Sequence, residues 1–169
     1  ETMMSLQETR AALIAAKEVT DIAVMATMTF EADGRTLYGT DAKTAAIVLE
    51  SLGAAAIGTN CSTGPDKMID LIKQMASVTS VPIIAKPNAG LPSLDEDGNT
   101  VYDMDADTFA EQMKDIVRAG ASIVGGCCGT TPDYIRALKK AVENLPVVHR
   151  TPPAQRFLTS ERQTLSFGL

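Results

Sequence analysis

The sequence predicts an α/β fold in which four parallel strands form part of a (β/α)8 barrel. Three observations carry this. Helical and strand-like segments alternate in the order α(βα)4, and repeated βα units imply parallel strands joined by right-handed crossovers. An open doubly wound sheet is the other closure, but no strand is followed by a glycine-rich nucleotide fingerprint. Gly125, Gly126 and Gly129 lack the G-x-G-x-x-G spacing and enclose two cysteines. Finally, 169 residues fall short of the ~250 that a closed barrel takes, so the chain is expected to hold only part of one.

The elements follow in order. Residues 3–19, with Leu6, Leu13 and Ile14 among alanines and charge on the other face, read as a helix. Residues 22–28 (IAVMATM) form an apolar run of the kind that a buried parallel strand shows. Thr40 or Asp41 is placed to cap the next helix, which runs to about Leu52 and stops at Gly53. Residues 54–58 are the second strand, and Pro65 opens a helix with Met68, Ile72 and Met75 on one face. Residues 81–85 are the third strand, followed by a long loop from Pro87 to about Asp105. Phe109, Met113, Ile116 and Val117 mark a helix ended by Gly120, residues 121–125 the fourth strand, and Thr131-Pro132 the start of the last helix. Residues 1–145 are therefore one unit. The polar, proline-containing stretch 146–169 reads as a linker or arm and not as a packed element.

Composition narrows the chemistry. Apolar residues make up 45% and charged residues 21%, a globular balance. No apolar run approaches the ~20 residues that cross a bilayer, so no membrane span is expected. A net charge of −6 disfavours nucleic acid as a partner. His149, near the C-terminal end, is the one histidine, which removes Ser-His-Asp and Cys-His nucleophile schemes and His-rich zinc sites. The three cysteines, Cys61, Cys127 and Cys128, are an odd set. They argue against a disulfide scaffold and for a reducing compartment, the cytoplasm.

An internal repeat places these cysteines. GAAAIGTNCSTGPD from Gly53 matches GASIVGGCCGTTPD from Gly120 at an offset of 67 residues, pairing Gly58 with Gly125, Cys61 with Cys128 and Pro65 with Pro132. General βα architecture explains the glycines and prolines, but not a cysteine at the same loop position in both copies. Each cysteine falls just past the C-terminal end of its strand, on the rim where barrel enzymes keep their active sites. One strand lies between them, a separation of roughly 10 Å at ~4.8 Å per step. Thiolates leaning inward with Zn–S bonds of ~2.3 Å can close that gap. Cys127 would supply a third ligand, leaving the open position that catalytic zinc needs. Buried cysteines acting as small hydrophobes and a vicinal Cys127–Cys128 disulfide are the competing readings.

GTNCSTGP around Cys61, AKPNAGLP at 85–92 and GGCCGTTPDYI around Cys127 and Cys128 resemble the homocysteine S-methyltransferase family. Glu1-Thr2 is similar to the end of that family's fourth barrel strand, and MTFEADGRTLYGTD at 28–41 to the segment after its fifth. The resemblance implies the C-terminal half of a (β/α)8 TIM barrel, strands five to eight, with strands one to four supplied by another segment or chain. It implies that Cys61, Cys127 and Cys128 bind zinc, and that homocysteine sulfur takes the open position and is methylated to methionine. Glu1 would bind the substrate's α-amino group, and Asn88 lies on the same rim as a second substrate-binding candidate. Asn60 is read as fixing the turn before Cys61. Arg156, Ser160 and the LSFG ending resemble the link to the folate-binding barrel of cobalamin-dependent methionine synthases. That implies methylcobalamin as methyl donor, with folate- and cobalamin-binding domains as partners. The alternative is a structural or assembly fragment, inactive alone, that only holds zinc in a cluster of three cysteines. Alone, such a half-barrel is expected to expose two sheet edges and an uncovered interior face.

Overall fold

The computed structural model describes residues 1–151 and 154–167. Helix α1 (Leu6–Val19) begins at Ser5, whose Oγ accepts the Glu8 N–H, and strand β1 (Met25–Met28) follows. Asp41 caps α2 (Ala42–Ser51) by accepting the Thr44 N–H at 2.8 Å. Strand β2 (Ala56–Asn60) leads through Gly64 into α3 (Pro65–Ala76), with Pro65 in the first turn as expected. Strand β3 (Ile83–Lys86) is followed by β4 (Pro92–Leu94) and β5 (Thr100–Tyr102). Then come α4 (Ala106–Ala119), the two-residue β6 (Ile123–Val124), α5 (Pro132–Val142), β7 (Arg156–Thr159) and β8 (Thr164–Phe167).

Strands β1, β2, β3 and β6 form one parallel sheet in that order. This is the four-strand α/β arc expected from the sequence. Residues 1–3 extend it, since Met3 bridges Met28 in parallel and the Thr29 N–H donates to the Met3 carbonyl at 2.9 Å. Directly paired residues share a face. On the helix side, Met28, Ile57, Ile83 and Ala85 join Leu49, Met68, Ile72, Phe109, Met113 and Ile116 in the core. The other face carries Met25, Thr27, Gly58, Asn60, Ile84, Lys86 and Ile123.

The interior face, expected to be uncovered, is uncovered only in part. Gly58, Asn60 and Ile84 at its centre are buried, and its exposure is concentrated on the outer strands at Met25 (60%) and Ile123 (39%). Element ends also differ. Ile22 is exposed and outside β1, and β2 runs to Asn60 and not Gly58, so Cys61 leaves the strand directly.

Two further segments depart from the sequence reading. The loop 87–105 contains the β4–β5 hairpin. Residues 146–167, expected to be an unpacked arm, contain the β7–β8 hairpin, which is seated on α2. Phe157 packs against the core, Thr44 and Thr164 share a hydroxyl hydrogen bond at 2.9 Å, and the Thr40 hydroxyl donates to the Glu161 carbonyl at 2.8 Å. Arg150 reaches the starts of two strands, donating to the Gly120 carbonyl and, at 2.6 Å, to the Val81 carbonyl. Apart from Phe157, polar side chains and arginine make these contacts, so hydrophobic periodicity could not announce them. Of the motifs read in this stretch, Pro152, Pro153 and Gly168 of the LSFG ending lie outside the described residues. Among the described residues, no helix is long and apolar enough to cross a membrane.

Candidate metal centre

The three cysteines meet at the C-terminal ends of β2 and β6. Strand β3 and the PNAG turn after it form the scaffold between them. The Cys61 N–H donates to the Lys86 carbonyl at 3.0 Å, the Cys127 N–H to the Pro87 carbonyl at 2.9 Å, and the Ala89 N–H to the Cys128 carbonyl at 2.9 Å. Asn88, which is buried, accepts the Cys128 N–H on its Oδ1 at 3.1 Å and donates its own N–H to the Thr63 carbonyl at 3.0 Å. Asn88 thus ties the two cysteine loops together.

The local backbone is unusual at one of these loops. Cys61 and Ser62 are both left-handed, at φ 66° and 64°. Non-glycine residues there cost of order 1 kcal/mol or more each and persist where surrounding structure holds them. Here the strain turns the Cys61 side chain toward the Cys127–Cys128 loop.

The three Sγ atoms lie within 4.8 Å of one another, with Cys61–Cys128 at 3.7 Å and Cys127–Cys128 at 4.0 Å. Cys127 and Cys128 are therefore free thiols, about twice a disulfide bond apart, and the vicinal disulfide is excluded. Ligands at ~2.3 Å from a tetrahedral zinc are spaced by about 3.8 Å. The observed spacing fits a single ion held by three sulfurs. Burial, with the neighbouring sulfurs, pushes the Cys61 thiol up to about 11, while the hydrogen bond from Cys61 lowers Cys128.

Other groups surround the sulfurs. Asn60, fully buried, places its Nδ2 3.8 Å from the Cys127 Sγ. Tyr102, carried in by the β4–β5 hairpin, lies over Gly129. Gly129 has φ 80°, and a Cβ on it would fall 2.4 Å from the tyrosine ring, so glycine is required there twice over. Burial and the Cys128 thiol both raise the Tyr102 phenol. Glu1 stands at the rim with its carboxylate bound to the Lys86 ammonium, which holds it below the ordinary carboxylate range.

The structure thus gathers Cys61, Cys127 and Cys128, and places Asn88 and Glu1 on the same rim. The sequence reading missed Lys86 and Tyr102 and gave Asn60 only a turn-fixing part. The repeat offset that pairs Cys61 with Cys128 also pairs Asn60 with Cys127, and that was the available signal for Asn60.

The homocysteine S-methyltransferase family model matches residues 1–142. The chain belongs to the homocysteine S-methyltransferase family. Among curated proteins, it is 36% identical over 148 residues to the methionine synthase of Mycobacterium leprae (strain TN), covering 84% of this chain and 12% of that protein. To the methionine synthase of Mycobacterium tuberculosis (strain ATCC 25618 / H37Rv) it is 36% identical over 151 residues, covering 86% of this chain and 13% of the relative. The chain therefore spans about an eighth of the length of these relatives. The apo form of the homocysteine methyltransferase MmuM from Escherichia coli matches the fold with a TM-score of 0.67 at 22% identity, covering 83% of this chain and 48% of that one. Its metallated form matches with a TM-score of 0.65, covering 83% and 43%.

Proposed function

We propose that this chain forms the zinc-binding part of a methyltransferase that converts homocysteine to methionine, with Cys61, Cys127 and Cys128 as the three protein ligands. The observation that supports this most directly is the spacing of the three sulfurs, which suits one tetrahedral ion with a fourth position left for substrate. A bound zinc ion would stabilise the homocysteine sulfur as thiolate, making it nucleophilic at neutral pH. The methyl group passes from the donor to that sulfur and the thiol proton is given up.

The protein's own residues position and shield. Asn88 holds the Cys128 loop against the Cys61 loop, and its Oδ1 is already engaged, so its part is loop-setting more than substrate contact. Glu1 is placed to receive the substrate's α-ammonium group, in exchange for the Lys86 ammonium that it binds here. The rest of strands one to four of the barrel would come from another segment or chain, the fourth continuing residues 1–3 along the β1 edge and the first pairing at the β6 edge. The match to about half of the E. coli methyltransferase chain agrees with this. Methylcobalamin is the donor we assign, presented by folate- and cobalamin-binding domains in the cytoplasm. The likeness to methionine synthases supports this assignment.

The test is metal content with substrate titration. About one zinc per chain is expected, lost in Cys61→Ser, Cys127→Ser or Cys128→Ser, because structural or catalytic zinc sites need their full thiolate set. Zinc-edge spectroscopy should then show a fourth sulfur ligand when homocysteine is added. Zinc without a new sulfur would leave only a structural cluster, and metal-free protein with intact thiols would sink the reading.

A further inference from the structure

We propose that Asn60 is a positioning residue of the sulfur centre, its side-chain amide donating an N–H···S hydrogen bond that fixes the Cys127 sulfur and draws electron density from it. This rests on the zinc reading above only for its consequence, because the hydrogen bond itself joins two groups of this chain.

The orientation of the amide is settled by its neighbours. The Thr2 backbone N–H, which can only donate, points at Asn60 Oδ1 from 2.8 Å, and the Thr27 hydroxyl donates to the same oxygen at 2.7 Å. The oxygen must therefore lie on that side. Nδ2 is left to donate to the Thr2 hydroxyl at 2.7 Å and to the Cys127 sulfur at 3.8 Å. No solvent reaches the side chain, which is 0% exposed, so it has no alternative partner in water. All of its polar capacity serves three segments: residues 1–3, strand β1 and the Cys127 loop.

The geometry also explains why one repeat carries asparagine where the other carries cysteine. Asn60 and Cys127 are 67 positions apart, as are Cys61 and Cys128, and both equivalent pairs are in contact. One pair brings two sulfurs together. In the other, a second sulfur at position 60 would add a fourth thiolate and fill the open coordination site, whereas an amide leaves it open and supports the third ligand. Outer partners of this kind orient metal ligands, and removing one typically costs about 10–100-fold in metal affinity.

Nuclear magnetic resonance on the metal-free full chain tests the bond directly. The Asn60 side-chain amide proton should shift in Cys127→Ala and stay in place in Cys61→Ala. Zinc competition against a chelator tests the consequence. Asn60→Asp, nearly the same size but unable to donate as carboxylate, should weaken zinc about 10–100-fold. With cobalt(II) in place of zinc, its thiolate charge-transfer bands should move to lower energy. Thr2→Val, which removes the other acceptor of the same amide, should show neither change even where it lowers the melting temperature. An amide proton indifferent to Cys127 would overturn the proposal. So would equal zinc losses in Asn60→Asp and Thr2→Val, since that would make Asn60 a purely structural residue. If the wild-type chain takes up no zinc at all, the functional reading fails, and the amide shift alone decides for or against Asn60.

Discussion

Gly58 and Gly125 occupy equivalent repeat positions and are the same amino acid, yet the structure gives them different tasks. A Cβ on Gly58 would fall 2.0 Å from the Ile84 carbonyl oxygen, a backbone atom of the neighbouring strand that cannot move aside. A Cβ on Gly125 meets only the Lys86 side chain, at 3.4 Å. Gly58→Ala is therefore expected to destabilise by about 3 kcal/mol, the upper part of the range for overpacked sites, while Gly125→Ala is nearly neutral. Urea unfolding of both variants reads the difference. The sequence showed both glycines through the repeat, but not which of them a neighbouring backbone approaches. The cysteines were legible for a different reason: three reactive side chains at matching loop positions leave few innocent explanations. Lys86 and Tyr102 were not, because one ends an ordinary strand and the other lies in a polar hairpin, and neither belongs to any spacing pattern.

Helices were easier to read than strands. The cap at Asp41 and the first-turn prolines Pro65 and Pro132 were visible as chemistry, and each stands where expected, whereas Asp105 was read only as the end of a loop. Asp41→Ala should cost about 1 kcal/mol through the lost bond to the Thr44 N–H, measurable by thermal unfolding. Asp105 caps α4, and the Thr108 N–H that it accepts lowers its pKa below the ordinary aspartate value of 3.8. Its stabilising contribution is thus full above that value and lost as pH falls through the lower folded one. Asp105→Asn keeps an acceptor but no charge, so its stability should vary less with pH below about 4. Acid titration followed by circular dichroism checks this. Strands β4 and β5, of three residues each, escaped notice. Their turn was chemically plain, with Asp95 accepting the Asp97 and Asn99 N–H groups, but pairs so short and polar carry no alternation. The two-residue β6 was overestimated because the expected segment 121–125 begins with Ala121 and Ser122, ahead of the first ladder pair at Ile84–Ile123.

At the scale of the molecule, the sheet is an arc with its chemistry on one rim. The parallel order was legible from alternation alone, and the shortfall in length from a closed barrel followed from counting. The seating of the β7–β8 hairpin was not, because it depends on distant partners such as Thr40 with Glu161. Arg150 joins the same architecture by bridging the Val81 and Gly120 carbonyls at the strand starts. Arg150→Met would strand these carbonyls and should destabilise by about 2 kcal/mol, given that hydrogen bonds to charged groups contribute roughly 1.5–3 kcal/mol. Zinc binding at the opposite rim is expected to stay unchanged in the folded protein, which chelator competition on that variant would show.

The arginine clamp at the strand starts has a practical consequence. Because it holds the turns just ahead of β3 and β6 while the sulfurs sit at the finishing ends of β2 and β6, the fold's durability and the sulfur cluster depend on opposite rims. An engineer seeking a tougher fold can rework the strand-start rim and the β7–β8 hairpin across α2 without touching the cysteines. One probing the proposed zinc site would leave that rim alone and change only the turns at 60–63, 87–90 and 126–130.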